Sequence, residues 1–178
     1  MEKVALVVGH NERSKGAYSS VLKESEFDYY KEIATLINQM DESIDIYIRK
    51  PNTSYTREMS QVINSINLHT YKYVFELHFN NVTDSKVNGA LCLAYHNSTK
   101  GLNIAKEFLE RLCKEYNLKN KGIVKIKSSD ERGGFGICKT CCPYVLIEPF
   151  FGNNQEAEKF KNKERFAKFI VDFIREAD

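Results

Sequence analysis

The chain has 178 residues, enough for one domain with a proper hydrophobic core. Apolar residues make up 42% and charged residues 28% of the sequence, the composition of an ordinary globular protein. The 26 basic and 24 acidic side chains nearly cancel, so the charge gives no reason to expect a nucleic acid as partner.

The start of the chain predicts neither a signal peptide nor a membrane anchor. MEKVALVVGH contains an apolar run too short for the central region of a signal peptide, and no cleavage site follows it. No stretch approaches the roughly 18 apolar residues of a transmembrane segment. We therefore expect synthesis in the cytoplasm without a signal peptide.

Strand and helix patterns alternate along the chain. Short apolar or alternating runs predict strands at 4–9, 44–49, 72–79, 90–95, 122–127 and 144–149. Apolar residues at helical spacing predict helices at 26–40, 56–68, 101–116 and 155–176. Ser25 is the expected N-cap of the first helix, with Asp28 as its partner. A loop is expected through Gly133, Gly134 and Gly136.

This order of elements predicts an α/β fold, a single domain with a twisted, mostly parallel sheet of about six strands and helices on both faces. Sites in such sheets lie beyond the carboxyl ends of the strands. Three predicted strands end near an ionisable residue there, namely His10, His78 and Glu148. Such residues are costly at the end of a buried strand unless they are paired, metal-bound or catalytic, so we expect them to converge on one site.

His10 and His78 are candidate metal ligands. The other histidines have simpler explanations, because His69 ends a predicted helix and His96 lies in a polar loop. One histidine at a strand end is more often a hydrogen-bonded core residue, but two on different parallel strands favour a metal. Imidazole suits Zn²⁺, and a catalytic zinc typically keeps three protein ligands and one open position.

The third ligand is expected to be a carboxylate, and the residues leave three candidates. Glu24 and Glu26 lie where the chain returns after His10, and Glu26 opens a helix, where it could simply complement the helix dipole. Glu76 shares a strand face with His78 and could bind the metal or orient that histidine.

Glu148 has a different environment, because apolar residues precede it and Pro149 and Phe150 follow. A carboxyl group in so apolar a setting should have a raised pKa, which suits proton transfer. We therefore expect Glu148 to be the general base and acid.

The cysteines do not indicate a disulfide framework, because their number is odd and their spacing irregular: Cys92, Cys113, Cys138, Cys141 and Cys142. Cys138 and Cys141 have CxxC spacing, but a zinc ribbon needs a second pair, which the sequence lacks. We interpret the cysteines as structural or incidental thiols.

Four ordered segments resemble the zinc-dependent N-acetylmuramoyl-L-alanine amidase family (Amidase_3), particularly the catalytic domains of clostridial phage endolysins. They are VALVVGH followed by KGA, SEFDYYKEIA, VFELHFNN and YVLIEPFFGNNQEA, from residue 4 to about 158. The resemblance implies that His10, Glu26 and His78 bind zinc and that Glu148 is the late catalytic glutamate. Glu26 is preferred to Glu24 because the family has an alanine eight residues further on, matched by Ala34.

The sequence departs from the family pattern in three places. The loop after His10 is more polar than the family's glycine-rich loop. Glu76 precedes Leu77 and His78 where the family has a serine, and Pro149 and Phe150 stand where a small residue and a glycine are common. These departures remove no ligand, but they could alter how substrate is reached.

The resemblance implies hydrolysis of the amide between N-acetylmuramic acid and L-alanine in peptidoglycan, at the bacterial cell wall. Because no signal peptide is predicted, a phage-type route of release is the expectation. Asn80 is expected to contact substrate or to orient a ligand, and Arg132 either to hold substrate carboxylates or to be a plain surface charge. We expect one catalytic domain over 1–178 without a separate wall-binding domain. Another zinc peptidoglycan hydrolase, such as a stem-peptide carboxypeptidase, and a non-catalytic wall-binding module are the alternatives.

Overall fold

The structure, a computed structural model, describes residues 3–177. Along this range the elements are β1 (Lys3–Val8), β2 (Tyr18–Ser19), β3 (Glu24–Ser25), α1 (Glu26–Met40), β4 (Asp45–Ile48), α2 (Tyr55–Ile66), β5 (Tyr71–Leu77), β6 (Ala90–Tyr95), α3 (Thr99–Tyr116), β7 (Asn120–Ile126), α4 (Gly134–Lys139), β8 (Tyr144–Glu148), a 3-10 helix (Gln155–Phe160) and α5 (Lys163–Glu176).

Six strands form one sheet in the order β4-β1-β5-β8-β6-β7. The neighbouring pairs are parallel except β6 and β8, which are antiparallel. The central strands β1, β5 and β8 are almost entirely buried, as expected for strands covered on both faces. The predicted α/β fold with a mostly parallel sheet is therefore confirmed.

Helices cover both faces of this sheet. Successive strand residues point to opposite faces, so each strand contributes side chains to two separate cores. On one side Leu6 and Phe75 join a large aromatic core with α1, α3 and α5. On the other side Val7 and Leu146 pack in a smaller core with α2 and α4. Within residues 3–177, no helix is long and apolar enough to cross a membrane.

Helix α1 begins as the sequence predicts. The Ser25 side chain accepts a hydrogen bond from the Asp28 backbone N–H at 3.2 Å and donates to the Asp28 carboxylate at 2.7 Å. A cap of this kind fixes the first turn of a helix. Glu26 is consequently held at the first position of α1, facing the ends of the central strands.

Two predicted elements differ from the structure. The glycine-rich loop contains the short helix α4, stabilised by Ile137 in the smaller core despite the low helix propensity of glycine. The helix predicted over 155–176 is divided, because the Asn162 side chain accepts from the Arg165 N–H and starts α5 anew.

Candidate active site

The ends of β1, β5 and β8 lie side by side, since these strands are adjacent and parallel. His10, His78 and Glu148 consequently line one cavity of about 570 Å³, together with Glu26 from the start of α1. The structure thus brings together the four residues expected to perform the chemistry. Asn80 and Arg132 line the same cavity.

His10, Glu26 and His78 form a compact group of donor atoms. One ligand atom from each residue lies within 4.8 Å of the others. Nε2 of His10 lies 3.2 Å from one Glu26 oxygen, and Nδ1 of His78 lies 3.2 Å from the other. Two imidazoles and a carboxylate are the protein ligands of many catalytic zinc sites, so the donor set fits Zn²⁺.

The Glu26 carboxylate is held from several sides. Its oxygens accept backbone hydrogen bonds from Ala17 at 2.9 Å and Phe79 at 3.1 Å. Burial of this 5% exposed residue would raise its pKa, but hydrogen bonds to His10 and His78 outweigh burial and hold the pKa well below its usual range. Glu26 is therefore a fixed anion between the two histidines.

Glu76 contacts the other side of the His78 ring, with its Oε1 3.0 Å from His78 Nε2. Its second oxygen accepts a hydrogen bond from the Tyr144 hydroxyl at 2.9 Å. Burial would lower the pKa of His78, but Glu26 and Glu76 together raise it to about 10. Glu24, the remaining carboxylate candidate, pairs with Lys163 at 2.9 Å and does not line the cavity.

Two glycines leave room for this group. A Cβ atom on Gly16 would lie 2.6 Å from the His10 ring and 2.7 Å from a Glu26 oxygen, and Gly16 has a φ of 77°. A Cβ atom on Gly9 would lie 2.5 Å from the His78 ring. Both distances are shorter than real Cβ contacts allow, so only glycine fits at these two positions, where the backbone lies directly against the His10, Glu26 and His78 side chains.

Glu148 lies at the end of β8 with 3% of its surface exposed. Burial raises the pKa of its carboxyl, the direction that its apolar neighbours predict, and the positive charge of Arg132 partly offsets this effect. Asn80 donates a hydrogen bond to Oε2 at 2.8 Å, and Arg132, which is largely exposed, pairs with Oε1. Both residues expected to contact substrate therefore hold the Glu148 carboxylate.

The loop after His10 is anchored by a group that the sequence did not indicate. Arg13 Nε donates to the buried Glu58 carboxylate of α2 at 2.7 Å, and the Asn52 backbone N–H donates to the same oxygen at 2.9 Å. His10 itself has a φ of 66°, in the left-handed region. The Arg13–Glu58 ion pair therefore ties the loop that follows His10 to α2.

Arg49 and Tyr55 also line the cavity and were not identified from the sequence. Arg49 directly follows β4, and Tyr55 is the first residue of α2. A basic residue after an edge strand and an aromatic residue at a helix start are common surface features. Only the tertiary structure places them beside His10 and Glu76.

Comparisons with known proteins agree with this geometry. A family model described as N-acetylmuramoyl-L-alanine amidase matches residues 4–177. A comparison with curated protein sequences gives no match.

Several solved structures are similar over nearly the whole chain. The CwlD amidase from Clostridioides difficile, solved in complex with the GerS lipoprotein, has a TM-score of 0.80 at 19% identity, covering 98% of this chain and 97% of that one. The catalytic domain of the CD27L endolysin targeting Clostridia difficile gives 0.72 at 24%, covering 98% and 97%. The catalytic domain of the CwlV amidase from Bacillus (Paenibacillus) polymyxa gives 0.74 at 18%, covering 99% and 97%. At these identities the likeness establishes a shared fold.

Proposed function

Because the chain belongs to the N-acetylmuramoyl-L-alanine amidase family, we propose that it is a zinc-dependent hydrolase of peptidoglycan. The bond cleaved is the amide between the lactyl group of N-acetylmuramic acid and the L-alanine of the stem peptide. The observation that carries the proposal is the His10–Glu26–His78 donor group in one cavity with the buried carboxyl of Glu148.

In this proposal His10, Glu26 and His78 hold the zinc ion, and Glu76 orients His78 from the far side of its ring. A bound Zn²⁺ would polarise the amide carbonyl and lower the pKa of water from about 16 to about 7. Glu26 supplies the negative charge of the ligand set. The two histidines would bind as neutral imidazoles, so metal binding would displace the proton that Glu26 and Glu76 stabilise on His78.

Glu148 moves the proton. As the water oxygen bonds to the carbonyl carbon, Glu148 accepts the water proton, and it delivers that proton to the alanine nitrogen when the carbon–nitrogen bond breaks. Its raised pKa suits both steps, since the group must accept and release a proton near neutral pH. Asn80 and Arg132 orient the carboxylate toward the cavity.

We further propose that residues 1–178 act as one catalytic domain, with the bacterial cell wall as the site of action. The other zinc chemistry open to the same donor set is a stem-peptide carboxypeptidase, which would release a terminal amino acid. Mass spectrometry of digested peptidoglycan separates the two activities. Intact stem peptides with new L-alanine amino termini are the expected products, and free terminal amino acids would refute the amidase assignment.

A further inference from the structure

Arg49 is a buried cation whose donors are largely unused. It is 3% exposed, yet it lines the cavity that contains His10 and Glu148. Its one side-chain hydrogen bond within residues 3–177 runs from Nε to the His10 carbonyl oxygen, at 3.4 Å. Nη1 has no hydrogen-bond partner, although a guanidinium carries five N–H donors.

The other two arginines of the cavity differ from Arg49. Arg13 pairs with Glu58 at 2.7 Å, and Arg132 pairs with Glu148. For Arg49, no carboxylate of the described chain lies within 4.0 Å. A buried guanidinium without an anion is costly, so the geometry favours an anion supplied from outside the chain.

The nearest structural explanation is that Arg49 only balances the charge of Glu76. Both Glu76 oxygens already have partners, since Oε1 lies 3.0 Å from His78 Nε2 and Oε2 accepts from the Tyr144 hydroxyl at 2.9 Å. The Arg49 guanidinium instead lies over the Tyr55 ring, 5.0 Å from its centre. This cation–π contact holds the guanidinium beside the ring, while its Nη1 has no hydrogen-bond partner and remains for a ligand.

We propose that Arg49, backed by Tyr55, binds a carboxylate of the stem peptide beside the scissile amide. This inference rests on the proposed function, and it adds that the same site selects substrates with a negatively charged group at this position. A planar guanidinium matches a carboxylate through two parallel hydrogen bonds. Because Arg49 contacts the backbone of His10, a candidate zinc ligand, its carboxylate belongs to a residue close to the L-alanine, such as the free α-carboxylate of a following isoglutamate.

The test compares two synthetic substrates whose γ-carboxyl is blocked as a methyl amide, N-acetylmuramoyl-L-alanyl-D-isoglutamate and its isoglutamine form, so that the α-carboxylate of the first is the only carboxylate in either. We expect the wild-type zinc enzyme to hydrolyse the carboxylate form with a kcat/KM about 10–100 times higher, mainly through a lower KM. Arg49→Met should reduce this ratio to near one. Arg57→Met, an exposed arginine of α2 outside the cavity lining, is the matched control and should keep the ratio.

The outcomes separate this inference from the proposed function. Equal hydrolysis of both substrates by the wild type overturns the carboxylate subsite and leaves the amidase assignment intact. Hydrolysis of neither overturns both. A preference that survives in Arg49→Met, together with weaker zinc binding, would assign Arg49 to the support of Glu76 instead. If Arg49→Met fails to fold, Arg49→Lys takes its place, and it should also lower the ratio because an ammonium group cannot form the two parallel hydrogen bonds of a guanidinium.

Discussion

Glu76 Oε1 lies 3.0 Å from Nε2 of His78, at the buried end of β5. The other ring nitrogen, Nδ1, lies 3.2 Å from Glu26. A carboxylate on one side of an imidazole fixes the ring and its tautomer and makes the opposite nitrogen a better metal ligand. In this chain the support of His78 on that side is therefore a charged group.

Replacing Glu76 should therefore weaken zinc binding. We expect Glu76→Gln to raise the zinc dissociation constant about 10–100-fold, measured by competition with a chromophoric chelator. Glu24→Gln is the matched control, because Glu24 lies outside the cavity and pairs with Lys163. Unchanged affinity in Glu76→Gln, or an equal loss in Glu24→Gln, would contradict the role given to Glu76.

Gly16 should be intolerant of any side chain. In Gly16→Ala the new Cβ would meet the His10 ring and Glu26 within 2.7 Å, so we expect the donor group to be displaced and zinc affinity to fall about tenfold or more. Gly122→Ala is the control, since Gly122 also has a positive φ but no atom within 4 Å of the added Cβ. Metal analysis after dialysis measures both variants, and full zinc occupancy in Gly16→Ala would refute the expectation.

The pH dependence of kcat/KM should show that Arg132 lowers the pKa of Glu148. Glu148 must be ionised to accept a proton, so activity rises as pH passes upward through its pKa. Arg132 lowers that pKa, so Arg132→Met should raise it and move the acidic limb of kcat/KM to higher pH. Arg57→Met should leave the limb in place. If the acidic limb does not move, or moves to lower pH, then Arg132 does not lower the pKa of the group that limits activity.

The ion pair between Arg13 and Glu58 should stabilise the folded protein at neutral pH and should lose this effect in acid. Arg13 holds the pKa of Glu58 down to about 2, below its ordinary value of 4.5, so the ionised form is favoured in the folded state. The stabilisation is complete above the unfolded pKa and is lost as pH falls through the folded one. The difference in unfolding free energy between wild type and Glu58→Gln should shrink between about pH 4.5 and 2. A difference that stays constant over this range would contradict the ion pair.

The sequence predicted the strand ends well because a buried strand with a terminal histidine or glutamate is unusual. His10, His78 and Glu148 lie where the period of the strands and the parallel order of the sheet place them. The cap at Ser25 likewise follows from local chemistry, and it fixes Glu26.

Other features depend on contacts between distant segments, which no local pattern reveals. Arg49 and Glu58 reach the cavity because β4 and the start of α2 pack beside the loop after His10. Asn80 holds Glu148 because the segments after β5 and β8 pair, with a bridge between Asn80 and Phe151. The break before α5 depends on a single asparagine cap within an otherwise helical pattern.

The central claim is that a metal held by His10, Glu26 and His78 works with Glu148 to hydrolyse the muramoyl–alanine amide. The most direct measurement is the release of L-alanine amino termini from purified peptidoglycan by wild type and Glu148→Gln at equal, verified zinc content. We expect Glu148→Gln to keep its zinc and to lose at least about a hundredfold in rate. Undiminished release by the zinc-loaded variant would remove Glu148 from the chemistry and contradict the account.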